Sequence, residues 1–555
     1  MLSAAEKAYK AYKKIIGKWN PFTQTTTSEL NVLYNARLRF DKDESFKKEA
    51  LELTTDEGES LDILIDKFFN AYNNRHGLDI RETLVEFDDP ELADGCYFII
   101  RAYVGDKEVS PVDLKAGGCV RVVATLYSYA SDTPLKVPEI SLDVVADEYK
   151  SLSKSVKNSS EIDFEITLDS PGHARFKVFA KGDDGKVIIG SEGGYGGLLF
   201  SKEKILPTHP VPKDFADFWR TKIDKMLAHD HLGKTPDGYT GAVKYEYNMA
   251  EKNFYEVTKV DEEFLRKMRE NLLSAPEDTD LLKYDIYRVY LKSPGPCHSS
   301  AFITVPKGAK PKSLPIHYIF DGYGVYSAEP VLHPERISVH CTHHGYELGN
   351  HRDNYYPYLN NTVCHYYGRG GKEINAGYED ISDCYMTYLL LRDLQMVHFA
   401  ANPDLCGDIE GLSDAYSGKA IISGGSMGGY QSICIGGLIT LLNEKAAPIE
   451  VERILPNIPA FCNIAGHTEG RVKTYLTTYE DGVDYFDAAQ FAHLITAPVQ
   501  VDRIGLGDDT CPAGGIVAML NSLGGDFEAN MLQNSSHGFI PDTRFQKWYK
   551  YTKSN

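Results

Sequence analysis

Residues 421–430 read IISGGSMGGY and contain the pattern G-x-S-x-G, centred on Ser426. An apolar strand pattern precedes the serine, and a helical pattern at 430–442 follows it. This is the context of a nucleophile elbow, a tight strand-to-helix turn that holds a serine hydroxyl above a sheet, near a helix N-terminus. The glycines two residues to either side allow the strand and helix backbones to approach closely. A chance glycine-rich turn is the alternative; the flanking strand and helix favour a nucleophilic Ser426.

A nucleophilic serine needs a base, and the base needs a carboxylate to orient it. In enzymes built on such an elbow, the acid and then the histidine follow the serine along the chain. Residues 504–512 read IGLGDDTCP, where a strand pattern runs into a loop. The loop puts Asp508 at the carboxyl edge of the sheet and makes it the predicted acid. Asp509, in the same loop, is the alternative, whereas Asp502, inside the strand, is predicted to face solvent.

The predicted base is His537, in the segment QNSSHGF at 533–539. A helix pattern at 515–523 and a strand separate it from the acid loop. The other histidines after Ser426 are His467 and His493, and both precede the acid, which is the wrong chain order. The alternative interpretation of His537 is a histidine in a surface turn.

These three segments together resemble the acetyl xylan esterase / cephalosporin C deacetylase family. That family carries Gly-x-Ser-Gln-Gly-Gly, Gly-Leu-x-Asp-x-x-Cys-Pro and a late histidine, and the resemblance extends over about residues 208–555. It implies an α/β-hydrolase fold with Asp508 as the acid. It also implies an oxyanion hole formed by the backbone N–H groups of Tyr323, in DGYG at 321–324, and Met427. It implies no cofactor.

The chain departs from the family pattern in two places. Met427 stands where the family has glutamine, a change that keeps the backbone N–H. The family's Arg-Gly-Gln-Gly motif is present only as Arg369-Gly370-Gly371, and we expect Arg369 on the substrate side of the site. The first 200 residues resemble longer family members that carry an added amino-terminal β-domain.

Three segments of the chain differ in periodicity. Residues 1–90 predict helices that serve packing or oligomerisation. Residues 91–206 show short stretches of period two and predict a β-sandwich, with either a plain structural role or a role in binding carbohydrate. Residues 207–555 alternate strands with helices, among them an amphipathic helix at 385–401, and predict a largely parallel sheet. The predicted fold class is α/β: an α/β-hydrolase catalytic domain preceded by the sandwich and the helical segment.

Tyrosine is concentrated between residues 318 and 378, which hold 10 of the 36 tyrosines. Aromatic faces stack on sugar rings, and tyrosine hydroxyls bond sugar hydroxyls. Tyr355 and Tyr356 are therefore predicted to bind substrate, unless the tyrosines merely fill an irregular insertion. The segment HCTHH at 340–344 suggests a metal site. Consecutive residues of a strand point to opposite faces of the sheet, so the three histidines of this segment cannot easily converge on one ion. We therefore predict no metal there.

The charge balance excludes some classes of binding partner for this chain. The chain carries 59 basic and 79 acidic residues, a net charge of −20. Nucleic acid and anionic membranes both select clustered positive charge, so neither is an expected partner. No apolar run is long enough to span a membrane, no secretory signal is visible, and the ten cysteines form no CxxC pair. These features predict a cytoplasmic protein with isolated, buried thiols.

The sequence therefore predicts a serine esterase that releases acetyl groups. The resemblance implies acetylated xylan, xylo-oligosaccharides or another O-acetylated sugar as substrate. Two alternatives stay open: a peptidase, because the same elbow serves amide cleavage, and a carbohydrate-binding protein on an inactive hydrolase scaffold.

Overall fold

The structure is a computed structural model of the 555-residue chain. It describes residues 3–16, 25, 27–53, 58–76, 79–84, 86, 96–128, 133–183, 185–188, 193–228, 255–264, 283–293, 298–323, 329–342, 348, 380–474, 479–541 and 546–553.

The amino-terminal region is helical. Its helices are α1 (Ala4–Ile16), α2 (Thr27–Lys42), α3 (Glu44–Glu52) and α4 (Leu61–His76). In α1, Ala5, Ala8, Tyr12 and Ile15 are buried, at the three- and four-residue spacing that places them on one face. These residues join an apolar cluster with the other three helices.

Two four-stranded antiparallel sheets follow, and they share one apolar core. The first has the order β2 (Lys107–Val109), β1 (Cys96–Val104), β3 (Val120–Ser128) and β6 (Glu161–Ile166). The second has the order β5 (Ser151–Ser159), β4 (Val137–Ala146), β7 (Gly172–Lys181) and β8 (Gly194–Phe200). Residues 96–200 are called the two-sheet unit below. Side chains alternate between buried and solvated positions along β4, as expected when one face of a sheet covers a core.

The remaining strands form one ten-stranded sheet in a mixed α/β arrangement. Its spatial order is β18 (Trp548–Thr552), β17 (Phe527–Leu532), β16 (Val499–Gly505), β15 (Glu450–Asn457), β14 (Tyr416–Gly425), β12 (Leu314–Phe320), β13 (Ile337–Thr342), β11 (Ser299–Pro306), β10 (Tyr284–Leu291) and β9 (Tyr255–Lys259). Pairing is parallel from β13 to β17 and antiparallel at both ends.

Helices pack against this sheet. They are α5 (Phe215–Leu227), α6 (Tyr385–Ala401), α7 (Leu412–Ala415), α8 (Met427–Leu442), α9 (Ala488–Phe491) and α10 (Ala513–Asn521). Short 3₁₀ helices span Ile80–Thr83, Lys202–Lys204, Ile381–Asp383, Ile464–Glu469, Asp481–Phe486 and Ala492–Leu494. The prediction that α6 is amphipathic is wrong, because every residue except His398 and Ala401 is buried. The helix contacts the sheet through β11 and β13 and also contacts α5 and α8.

Two further expectations concern membrane spans and thiols. Within the described ranges, no helix has the length and apolar character needed to cross a bilayer. Of the described cysteines, Cys119 is exposed and the others are buried. The expectation of buried thiols therefore fails at Cys119.

Candidate active site

Ser426 stands at the sharp turn between β14 and α8. Its backbone has φ 57° and ψ −115°, a region that non-glycine residues rarely adopt. Such a conformation costs about 1–3 kcal/mol and persists only where the surroundings enforce it. Here Ser426 N donates to Asn457 O at 2.9 Å, and Ser426 O accepts from Tyr430 N and Ala460 N at 3.0 and 2.9 Å. A Cβ at Gly428 would lie 2.0 Å from Phe320 O, so the turn requires glycine there.

The structure brings the three sequence-predicted residues into one hydrogen-bonded chain. His537 Nε2 lies 2.9 Å from Ser426 Oγ, and His537 Nδ1 lies 3.0 Å from Asp508 Oδ2. These are the nucleophile–base and base–acid contacts that activate a serine hydroxyl. Asp508 is fully buried, whereas the His537 side chain is 26% exposed. The serine therefore faces a base that solvent and substrate can reach.

The second oxygen of Asp508 is fixed by the backbone of its own loop. Oδ1 accepts hydrogen bonds from Thr510 N and Cys511 N, both at 2.8 Å. Asp509 is exposed, and Asp502 is also exposed, as predicted. The geometry thus distinguishes Asp508 from Asp509, the alternative acid in the same loop.

The other two histidines considered as bases lie outside this chain of hydrogen bonds. His493 Nδ1 lies 2.7 Å from Gln490 O, and His467 Nδ1 lies 3.0 Å from Ile464 O. Each ring is thus bound to a backbone carbonyl three residues earlier in the chain.

Arg503 supports the histidine and was missed by the sequence analysis. Its guanidinium donates to Ser535 Oγ and Ser536 O at 3.0 and 2.9 Å, and to His537 O at 3.0 Å. Burial lowers the pKa of Arg503, and the nearby Asp508 opposes that shift. A signal was available: strand residues alternate, so a solvent-facing Asp502 predicts an inward-facing Arg503.

The residues predicted to supply the oxyanion hole lie beside the serine. Met427 is the first residue of α8, where backbone N–H groups have no partner within the helix. Tyr323 lies in the turn after β12 and packs against the apolar core. At the adjacent Gly322, a Cβ would lie 3.7 Å from Ser426 Cβ. The turn that carries Tyr323 is therefore in contact with the nucleophile.

A hydrogen-bonded pair, Asp321 and the buried His340, holds that turn. Asp321, the first residue after β12, has its Oδ2 2.8 Å from Nε2 of His340 on β13. His340 Nδ1 lies 2.7 Å from Glu329 O. Burial lowers the pKa of His340, but Asp321 and Glu329 outweigh it, and the net shift is upward. Through these two contacts His340 links β13 to the turn.

Within the described part of the chain, one group of side chains has the composition of a metal site. Its members are Asp508, Cys511 and His537, whose ligand atoms lie within 4.8 Å of one another. Two of them belong to the hydrogen-bonded chain with Ser426. Burial raises the pKa of the Cys511 thiol well above its usual value.

Several sequence-predicted residues lie outside the described residues. These are Tyr355, Tyr356 and Arg369, together with His343 and His344 of the HCTHH segment. The structure therefore describes the chemical centre of the candidate site and not the predicted sugar-binding residues.

Comparisons with known proteins agree with the motif resemblance. Residues 460–555, which include Asp508 and His537, match the family model described as acetyl xylan esterase. No curated protein sequence is significantly similar to the chain. The match supports an esterase-like hydrolase and is confined to the carboxyl-terminal part of the chain.

Solved structures with a similar arrangement include several esterases. An acetyl xylan esterase from Paenibacillus sp. R4 aligns with 18% identity and a TM-score of 0.40, over 61% of this chain and 94% of its own. Acetyl xylan esterase 1 from Thermoanaerobacterium sp. JW/SL YS485 aligns with 14% identity and a TM-score of 0.39, over 62% of this chain and 94% of its own. A thermostable esterase from Pseudomonas putida ECU1011 aligns with 12% identity and a TM-score of 0.26, over 47% of this chain and 76% of its own.

Proposed function

We propose that this chain, an esterase-like hydrolase whose residues 460–555 match the acetyl xylan esterase family, is a serine carbohydrate esterase. Its substrates would be O-acetylated sugars such as acetylated xylan or xylo-oligosaccharides. The observation that carries the proposal is the chain of hydrogen bonds from Asp508 through His537 to Ser426, at 3.0 and 2.9 Å. We propose no cofactor.

The reaction would proceed in two halves. Ser426 Oγ attacks the acetyl carbonyl carbon while His537 Nε2 accepts the hydroxyl proton. The N–H groups of Met427 and Tyr323 would stabilise the oxyanion of the tetrahedral intermediate. Collapse of that intermediate breaks the bond to the sugar oxygen, which takes the proton from His537 and leaves acetyl-Ser426. Water activated by His537 then releases acetate and restores the serine.

Asp508 would keep His537 in the reactive tautomer. With a carboxylate oxygen at Nδ1, the ring proton sits on Nδ1, and Nε2 is free to accept from the serine. The bonds from Thr510 N and Cys511 N fix the carboxylate, so the imidazole has one preferred orientation. This arrangement prepares the base before substrate binds.

We also propose the division into domains predicted from the sequence. The catalytic α/β-hydrolase domain would comprise residues 207–555, the β-sandwich residues 91–206 and the helical segment residues 1–90. Three apolar clusters support this division: one lies within the helices, one within the two-sheet unit, and one around the ten-stranded sheet. The third also includes Val112 and Leu199 of the two-sheet unit.

A comparison of three substrates tests the proposal. Acetate release is measured from an acetylated xylo-oligosaccharide and from p-nitrophenyl acetate, and amide cleavage is measured on p-nitroacetanilide. We expect hydrolysis of both esters, a higher kcat/KM for the sugar ester, and no measurable amide cleavage. Amide cleavage at a rate comparable with ester cleavage would favour the peptidase alternative. Failure to release acetate from any acetylated sugar would remove the carbohydrate assignment.

A further inference from the structure

Both loops that complete the proposed triad rest on the two-sheet unit. The acid loop is defined here as residues 506–512 and the histidine loop as residues 533–539. Each follows a strand of the ten-stranded sheet, and each contacts β1, β7 or β8 of the unit through its backbone or a buried side chain.

The closest contact lies between β8 and the acid loop. A Cβ at Gly197 would lie 2.0 Å from Leu506 O, and a Cβ at Gly507 would lie 2.5 Å from Gly196 N. Real Cβ atoms do not approach a backbone atom so closely, so glycine is required on both sides. The backbone of β8 is therefore in direct contact with the backbone two residues before Asp508.

His173 on β7 forms a second contact with the acid loop. Its side chain is fully buried, and Nε2 lies 3.2 Å from Leu506 O. Burial lowers the pKa of His173, which favours the neutral ring. Because a carbonyl can only accept, Nε2 carries the proton and donates it. The backbone N of His173 in turn donates to the buried Asp147, at 2.9 Å.

The histidine loop meets the same unit. Gln533 Oε1 accepts from Gly197 N at 3.1 Å, and Asn534 Nδ2 donates to Phe98 O at 2.9 Å. Gly197 therefore contacts both loops, one through its Cα face and the other through its amide. A shift of β8 would move both Asp508 and His537.

We propose that the two-sheet unit is a positioning element of the active site, and that Gly197 and His173 are its positioning residues. The inference rests on the proposed function, because it assigns the unit a role in the geometry of the triad. The unit would act by fixing the distance between Asp508 and His537, and not by contact with the substrate. Misplacement of a reacting group by about 1 Å can cost on the order of 10²-fold in rate.

The test measures kcat and KM for p-nitrophenyl acetate in variants of the full chain. Gly197→Ala is expected to lower kcat by ~10- to 100-fold with KM within about two-fold, because the triad moves and the substrate site does not. His173→Phe, which removes the donor, is expected to lower kcat in the same way. His173→Gln, whose amide can still donate to Leu506 O, is expected to recover most of the rate.

Val122→Ala is the matched control. Val122 lies on β3, and its buried side chain faces the unit's own core. The variant is expected to lower the unfolding temperature while kcat stays within about two-fold of wild type. The inference fails if Val122→Ala slows turnover as much as Gly197→Ala, or if the two His173 variants behave alike. Should Gly197→Ala not fold, the His173 pair decides the question.

Ser426→Ala separates this inference from the proposed function. An active Ser426→Ala would overturn the proposed function. An inactive Ser426→Ala together with an unimpaired Gly197→Ala would overturn the positioning role alone.

Discussion

Asp508 and Asp509 are adjacent in the sequence and have opposite surroundings. Asp508 has no solvent exposure and bonds two backbone N–H groups and His537, whereas Asp509 is exposed. The two backbone donors at Oδ1 determine how the side-chain amide of an asparagine would be oriented at this position. Its oxygen would take the place of Oδ1, and its NH₂ would face Nδ1 of His537.

We therefore expect Asp508→Asn to lose much more activity than Asp509→Asn. An NH₂ group at Nδ1 forces the ring proton onto Nε2, which then cannot accept from Ser426. The loss in kcat can reach about 10⁴-fold when a triad acid becomes an amide. The measurement is kcat for p-nitrophenyl acetate in both variants, with Asp509→Asn as the control. Equal losses, or the reverse order, would move the acid to another position.

Arg503 gives a second prediction at this scale. Arg503→Met removes the guanidinium donors of Ser536 O and His537 O, and a buried group left unsatisfied costs about 1–3 kcal/mol of stability. We expect both the free energy of unfolding and kcat to fall, because the carbonyl of the base is no longer held. Arg503→Lys keeps the charge and part of the hydrogen bonding, and should recover part of the free energy of unfolding and part of kcat.

The control for this prediction is Arg220→Met. Arg220 forms an exposed pair with Glu444, and such pairs contribute little to stability. Urea unfolding and steady-state kinetics on the three variants check the prediction. An Arg503→Met variant with wild-type kcat and reduced stability would limit Arg503 to a structural role.

At the scale of elements, helix α6 contacts helix α8 through a buried carboxyl group. Gln431 Nε2 on α8 donates to Asp393 Oδ2 on α6 at 2.5 Å. Burial raises the pKa of Asp393 to about 7, although the bond from Gln431 and the charge of Arg392 oppose the shift. The folded chain therefore holds a proton here that the unfolded chain releases near pH 4.

This shift predicts a pH dependence of stability. Between about pH 4 and 7 the folded state binds more protons than the unfolded state, so this group's contribution falls as pH rises, by up to about 1.4 kcal/mol per unit. Above about pH 7 the contribution is constant. Asp393→Asn keeps the acceptor oxygen and removes the titration. The free energy of unfolding of Asp393→Asn, relative to wild type, should rise from pH 5 to 7 and then level off.

Denaturant unfolding at several pH values checks this prediction. Asp404→Asn, at an exposed carboxylate, is the control and should differ from wild type by a small amount at every pH. A difference between Asp393→Asn and wild type that does not change with pH would show that Asp393 stays ionised in the folded chain.

The same scale shows which elements the sequence could predict. The elbow was accessible because its strand, turn and helix are contiguous, and the turn requires glycine at fixed positions. Strand β5 carries no such signal, because most of its residues, in SLSKSVKNS, are exposed, so no apolar alternation marks it. Strand β8, GYGGLLF, is also poorly marked, because glycine usually weakens a strand, and here its glycines permit the close approach to the acid loop.

At the scale of the whole molecule, the contacts that unite its parts join distant positions in the chain. His173 and Leu506 are 333 residues apart, and Asp147 and Arg471, which form a partly buried ion pair at 2.9 Å, are 324 apart. No local pattern marks either contact, because each depends on how separate regions pack. The order of serine, acid and histidine was predictable from motifs; the surface on which the acid and histidine loops rest was not.

The most direct test of the central claim is the rate of ester hydrolysis by Ser426→Ala, because the hydroxyl oxygen of Ser426 is assigned as the nucleophile. We predict that kcat/KM for p-nitrophenyl acetate falls by about 10³-fold or more while the unfolding temperature stays close to that of wild type. Ser522→Ala, at the end of α10, is the matched control and should keep wild-type activity. A folded Ser426→Ala that retains more than about a tenth of the wild-type rate would contradict the assignment of the nucleophile.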